Sequence, residues 1–188
     1  LVSESISYGI ETDVSSDILV ENNFADRVAL PFPTGESVTG SVYGYNYSRN
    51  NWYVSGGNVN WMQATMYNHS SAISMHLFEG NTGTGFTADQ IHGTANFTTL
   101  FRNRLDGWDV ASDTSGLSKT QQTDAIDNYA FSRFFNYIGN VLGHGGFHTV
   151  YEYFPASTSD AGGTSIAKNI YVLGWSGNSQ KYPTLPND

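Results

Sequence analysis

From Ser37 to Glu79 large aromatic residues recur at every second position, interrupted by short runs of Gly, Asn and Ser. Tyr43, Tyr45 and Tyr47 alternate with Val42, Gly44 and Asn46, and Trp61, Gln63, Thr65 and Tyr67 repeat the spacing further on. Side chains on a strand point alternately to opposite faces, so a period of two predicts strands. The turn signals Ser48-Arg-Asn-Asn, Ser55-Gly-Gly-Asn and Asn68-His-Ser-Ser divide the stretch into strands near 38–47, 51–55, 58–67 and 72–79, a meander of antiparallel hairpins. Residues 94–105 are strand-like again, and two final strands are predicted near 147–154 and 166–174.

Between them the period changes. Ser118 and Gln121 match a capping box. Ala125, Ile126, Tyr129, Ala130, Phe134, Tyr137, Ile138, Val141 and Leu142 then recur at three and four residues, up to a natural stop at Gly143. This spacing predicts one long amphipathic helix packed on the sheet. Residues 1–36 read as an N-terminal arm closed by the Leu30-Pro-Phe-Pro-Thr-Gly turn, and prolines make 176–188 an irregular C-terminal tail. The pattern shows no repeating unit and no linker. The expectation is a single domain over 1–188, mainly β, folded as an antiparallel barrel or a sandwich with one long helix.

Composition narrows the partners. A chain of 188 residues can bury a core without staples. Its net charge of −9, with five scattered Arg and three Lys, argues against nucleic acid. No apolar run approaches the roughly 20 residues of a membrane helix. Cysteine is absent, which excludes disulfides and thiolate metal sites. Three sequons, at Asn46, Asn68 and Asn96, together with a first residue that is not Met, suggest a secreted, extracellular glycoprotein.

The sequons also serve as orientation markers, because a glycan must sit in solvent. Asn46 outward places Tyr43, Tyr45 and Tyr47 inward, and Asn96 outward places Phe97, Thr99 and Phe101 inward. The parity of Asn68 puts Trp61, Gln63, Thr65 and Tyr67 inward as well. Such an interior reads either as a ligand cavity or as a tightly packed core with its hydroxyls bonded to backbone.

Candidate chemistry is sparse. His76, mid-strand between Met75 and Leu77, is the best single proton shuttle, although a lone strand histidine is more often a bonded core residue. Gln63 is the companion donor for polarising a carbonyl. His144-Gly-Gly-Phe-His148 supplies two imidazoles but no third ligand at a fixed spacing, so no metal is expected. Among the carboxylates Glu79, Asp106, Asp109, Asp113 and Glu152, the last lies amid bulky neighbours yet reads as solvent-facing on a two-sided strand. A serine elbow, a phosphate loop in context and a dinucleotide fingerprint are all missing, so no cofactor is expected.

In type, a cysteine-free antiparallel domain with an aromatic interior resembles calycin-like binding barrels and cofactor-free cyclases. The functional expectation is therefore an aromatic-lined cavity enclosing a small, largely apolar organic molecule. Tyr43, Tyr45, Trp61, Thr65, Tyr67, Phe97 and Phe101 would bind it, and His76 and Gln63 would act on it. Such a barrel either carries its ligand or acts as a pericyclase-type cyclase, isomerase or lyase through substrate preorganisation. Two rivals stand beside it: a carbohydrate-binding or adhesion module whose Tyr and Trp stack on sugars, and an extracellular structural protein that self-assembles through its strands.

Overall fold

The computed structural model describes residues 8–53, 61–109, 119–154 and 168–175. Most strands are two to four residues long and pair in parallel with strands of the neighbouring turns of chain. A first sheet stacks Leu19–Glu21, Val42–Gly44, Leu77–Glu79, Thr99–Phe101 and Asn136–Ile138. A second stacks Phe24–Asp26, Tyr47–Arg49, Thr82–Gly83, Arg104–Leu105 and Val141–Leu142. A third stacks Phe32–Thr34, Met66–Asn68, Phe86–Ala88 and Ile126–Tyr129. The chain visits the three sheets in turn, advances by one strand spacing and repeats. This is a parallel β-helix. At the last coil the order inverts: Asn169–Trp175 lies between Ile126–Tyr129 and Val150–Tyr153.

The corner between the first and second sheets explains how the sequence closes each coil. Asn22, Tyr45, Gly80, Arg102 and Gly139 all have φ between 55° and 65°. A left-handed residue turns the chain sharply and exposes the next backbone N–H. In every coil the next residue is Asn: Asn23, Asn46, Asn81, Asn103 and Asn140. Each of the last four accepts, through Oδ1, the backbone N–H of the ladder Asn one coil away, at 2.9–3.0 Å. Their side-chain amides donate back into the stack, as Asn81 Nδ2 does to Tyr43 O at 2.8 Å. The result is a continuous asparagine ladder that satisfies buried corner groups which would otherwise be orphaned.

The core follows from the same register. Val20, Tyr43, Phe78, Leu100 and Tyr137 form the inward column of the first sheet, and Phe32, Met66, Phe86 and Ile126 that of the third. Tyr43 stacks on Phe78 at 4.8 Å, and Phe78 meets Phe86 across the interior at 5.4 Å. The second sheet contributes the smaller Ala25, Ser48 and Gly83, followed in the same column by Leu105 and Leu142. Coils two and four carry inserts of a dozen or more residues between the second and third sheets. The inserts touch each other: Met62 N donates to Gln121 O at 3.0 Å, and Lys119 Nζ to Asn51 O at 2.5 Å.

Three expectations are corrected. The antiparallel barrel of calycin-like type, or sandwich, gives way to parallel coils; the one antiparallel ladder among the described residues joins Trp52–Tyr53 to Trp61–Met62 within the first insert. The long helix is replaced by Ile126–Tyr129, Asn136–Ile138 and Val141–Leu142, with Phe131 and Phe134 at positive φ between them. Spacings of three and four arise there because short strands alternate with bends, and Phe134 is 65 % exposed rather than core. Residues 19–34 belong to the first coil rather than to an arm. Ser118, Asp113, the turn at 55–58 and the tail 176–188 lie outside the described residues.

Candidate ligand cleft

Outward positions of the second sheet build one surface. Register places Phe24, Tyr47, Thr82, Arg104 and Val141 in a single column, of which all but Thr82 are exposed. The Phe24 and Tyr47 rings stack at 5.5 Å, nearly parallel. The guanidinium of Arg49 lies 5.4 Å over Phe24 and bonds Asp26 at 3.2 Å.

Beyond Leu105 the chain leaves the sheet through Asp106-Gly-Trp-Asp. Arg104 Nε donates to Asp106 Oδ1 at 3.2 Å. Gly107, at φ 61°, has no room for a side chain, since a Cβ would approach Ala125 N and the His148 ring to 2.7 Å. That turn delivers Trp108 onto His144, ring centres 4.4 Å apart, with Phe147 at 5.9 Å behind. Asp109 is tied to the buried Lys119 at 3.1 Å. Tyr47, Arg49, Thr82, Asp106, Trp108, Asp109 and His144 line an open cleft of about 390 Å³. Its walls come from four consecutive coils, so it runs along the stack for about 14 Å at ordinary strand spacing.

The cleft floor is rigid. Thr65 reaches inward beneath Gly83, where a Cβ would lie 2.0 Å from the Thr65 hydroxyl. Thr65 Oγ1 meets Ser48 Oγ at 2.6 Å, Asn51 Nδ2 at 3.1 Å and Thr84 N at 2.8 Å. Thr84 Oγ1 donates to Gln63 O at 2.7 Å. The three hydroxyls of Ser48, Thr65 and Thr84 are all bonded, and such a buried network holds its members in one arrangement.

A second polar constellation lies on the outer face of the third sheet. His69 Nδ1 and Asp89 Oδ2 are 2.6 Å apart. Burial opposes charge on the His69 ring, but the hydrogen bond and the charge of Asp89 outweigh it and raise its pKa. Tyr67 and Tyr129 are buried beside it, and burial first, then nearby carboxylates, lifts both phenols well above their usual range. Asp124 and Asp127 complete the group.

The structure disperses the residues expected to share one cavity. Tyr43 is core, its hydroxyl 2.5 Å from Thr12 Oγ1, and burial pushes it up to about 12. Tyr45 sits at the left-handed corner, 59 % exposed, with its hydroxyl on Glu79 at 3.3 Å. Trp61 packs against Tyr129 and Val172 and donates to Gln63 Oε1 at 3.0 Å. Thr65 joins the floor, and Tyr67 faces the other side of the third sheet. Phe97 is exposed and stacks on Phe134 at 4.8 Å, while Phe101 lies under Arg102 at 4.7 Å and Leu100 takes the inward place. The period-two reading fails because each corner resets the alternation.

His76 is buried, with Nε2 on Val38 O at 3.1 Å; desolvation lowers its pKa to about 4. His148 uses both ring nitrogens on backbone, accepting from His144 N at 2.7 Å and meeting Thr123 O at 3.0 Å. Among the described residues no group of three or more His, Asp or Glu has the geometry to hold a metal. Glu152 is exposed.

The orientation assigned to the sequons is also corrected. Asn46 is 1 % exposed and Asn68 is fully buried, Asn46 as a ladder rung and Asn68 accepting from Thr34 Oγ1 at 3.0 Å. Asn96 is half-buried and accepts from Arg133 N at 3.0 Å. Neither Asn46 nor Asn68 points outward, so neither serves as the orientation marker that the parity argument needs.

Of the cleft residues, the sequence pointed to Asp106, Asp109 and His144 without grouping them. Trp108 belongs to none of the strand patterns in the sequence, and the parity of Asn46 places Tyr47 inward. Only the coil register joins them. Compared with known proteins, the chain matches no family model, no curated protein and no solved structure.

Proposed function

We propose that the chain is a carbohydrate-binding protein that takes an extended oligosaccharide along the outer face of its second sheet. The observation that carries this reading is the open cleft itself, with ring surfaces at Tyr47 and Trp108 flanking the acceptors Asp106 and Asp109. The negative faces of aromatic rings suit the polarised C–H edges of a sugar. Carboxylates accept hydrogen bonds from its hydroxyls, and Arg49 and Thr82 donate to its ring and hydroxyl oxygens. The cleft volume falls within the range of small-molecule sites, and an elongated, open shape suits a chain molecule better than a compact apolar one. Tyr43, Thr65 and Tyr67 give their surfaces to packing, which leaves this cleft as the better supported place for a ligand.

The test is a binding screen of neutral, amino and uronic oligosaccharides beside a set of apolar polycyclic molecules, read by tryptophan fluorescence. Oligosaccharides should bind. Trp108→Ala should weaken them at least tenfold, the loss of about 1.4 kcal/mol that a central aromatic contact exceeds. Binding of the apolar set alone would end the proposal.

A further inference from the structure

We infer a second site, for a hard divalent cation of the calcium type, between Asp124, Asp127 and Gln122 on the covered outer face of the third sheet. Register puts Asp127 in the outward column with Tyr67, Thr87 and Val172. Gln122 and Asp124 arrive from the end of the second insert, which lies against the first. All three side chains are buried: Asp127 is 1 % exposed and Asp124 and Gln122 are each 4 %. Gln122 Nε2 donates to Asp127 Oδ2, which ties the amide group of the insert to that carboxylate.

Asn169 approaches the Asp124 carboxyl, yet among the described residues neither oxygen of Asp124, nor Oδ1 of Asp127, nor Oε1 of Gln122 has a donor in full hydrogen-bond geometry. Four buried oxygens of one chemical character are therefore gathered without a counter-charge. The nearby cations are engaged elsewhere, His69 with Asp89 and Lys119 with Asp109. Burial and the field of neighbouring carboxylates push both acids well up, which expresses the same imbalance. Protons on both acids would supply two donors for the acceptor oxygens that remain, and would hold the group only in its neutral form. A cation that takes six to eight oxygens meets all four together, with water completing its shell. The donor set contains no sulfur and no imidazole, which favours calcium or magnesium over transition metals. Two carboxylates and an amide oxygen make a smaller set than a three-acid cage, and such a site binds through oxygen number and burial. Bound there, the ion would fasten the second insert to the third sheet.

Calcium chloride titrated into chelator-stripped protein at neutral pH tests the inference by calorimetry and thermal unfolding. Calcium should bind with one site per chain and raise the melting temperature. The double variant Asp124→Asn with Asp127→Asn should lose that shift while melting higher than wild type in chelator. Terbium luminescence, sensitised by Tyr67 and Tyr129, reads the wild-type site without any variant and should be displaced by calcium. Absence of both a calcium shift and displaceable terbium emission overturns the inference, as does a calcium shift that survives in the double variant.

Discussion

Replacing Asn81 by Ala should be among the most damaging single changes in the chain. Asn81 is fully buried at the middle of the ladder. Its Oδ1 accepts from the Asn46 backbone N–H and side-chain amide, each at 3.0 Å, and its Nδ2 donates to Tyr43 O at 2.8 Å and Asn103 Oδ1 at 2.9 Å. Alanine orphans the Asn46 N–H and the Tyr43 carbonyl. Each stranded buried group costs about 1–3 kcal/mol, giving roughly 2–6 kcal/mol in all. Asn23 begins the ladder, and its amide bonds are only partly buried. Its loss strands no buried group, so Asn23→Ala should cost less than about 1 kcal/mol. Urea unfolding followed by circular dichroism, with fluorescence as a second probe, measures both. Coils couple mainly to their neighbours, so the slope must be checked for loss of cooperativity. Equal, small costs for the two variants would refute the ladder as a source of stability.

Three further outcomes follow from particular residues. Gly80→Ala, at φ 65° with its Cβ 2.7 Å from the Tyr45 ring, should destabilise more than Gly139→Ala at the same corner, where nothing lies closer than 3.8 Å; the latter should cost about 1 kcal/mol by left-handed strain alone. Phe134→Ala should cost less than about 1 kcal/mol, because the ring is mostly in solvent and loses only its stack on Phe97. Burial lowers the pKa of His76 to about 4. The unfolded chain then binds the extra proton between that value and about 6.5, so His76 contributes a stability that is full above about pH 6.5 and falls by about 3 kcal/mol as pH drops toward 4. Comparing wild type with His76→Gln across that window isolates this slope from that of Asp124 and Asp127, whose raised pKa values act in the opposite sense.

The β character of the chain and most of its turns were legible, because Gly, Asn and Ser punctuate short runs of Tyr, Phe and Ile. The coil was not. Ladder asparagines 23, 46, 81, 103 and 140 stand 23, 35, 22 and 37 residues apart, so the inserts hide a period near 22. Asn46 reads as a sequon locally and as a ladder rung only when Asn81 is seen above it. Strand direction was equally hidden: hairpin signals such as Asn50-Asn51 mark corners here, and a two-residue strand carries too little pattern to distinguish parallel from antiparallel pairing. His76 is a buried, backbone-bonded histidine, as the plainer of its two readings has it. The cleft could not be read from spacing, since Tyr47, Asp106 and His144 are brought together by three coil advances rather than by any local motif.

Affinity as a function of oligosaccharide length, measured by calorimetry on one sugar series, tests the central claim most directly. The cleft runs across four coils, so affinity should rise with each added unit until the chain fills about 14 Å and then level. Tyr47→Ala and Trp108→Ala should flatten that rise from opposite ends. An affinity already complete with a single sugar unit, or a length dependence untouched by both substitutions, would contradict the account.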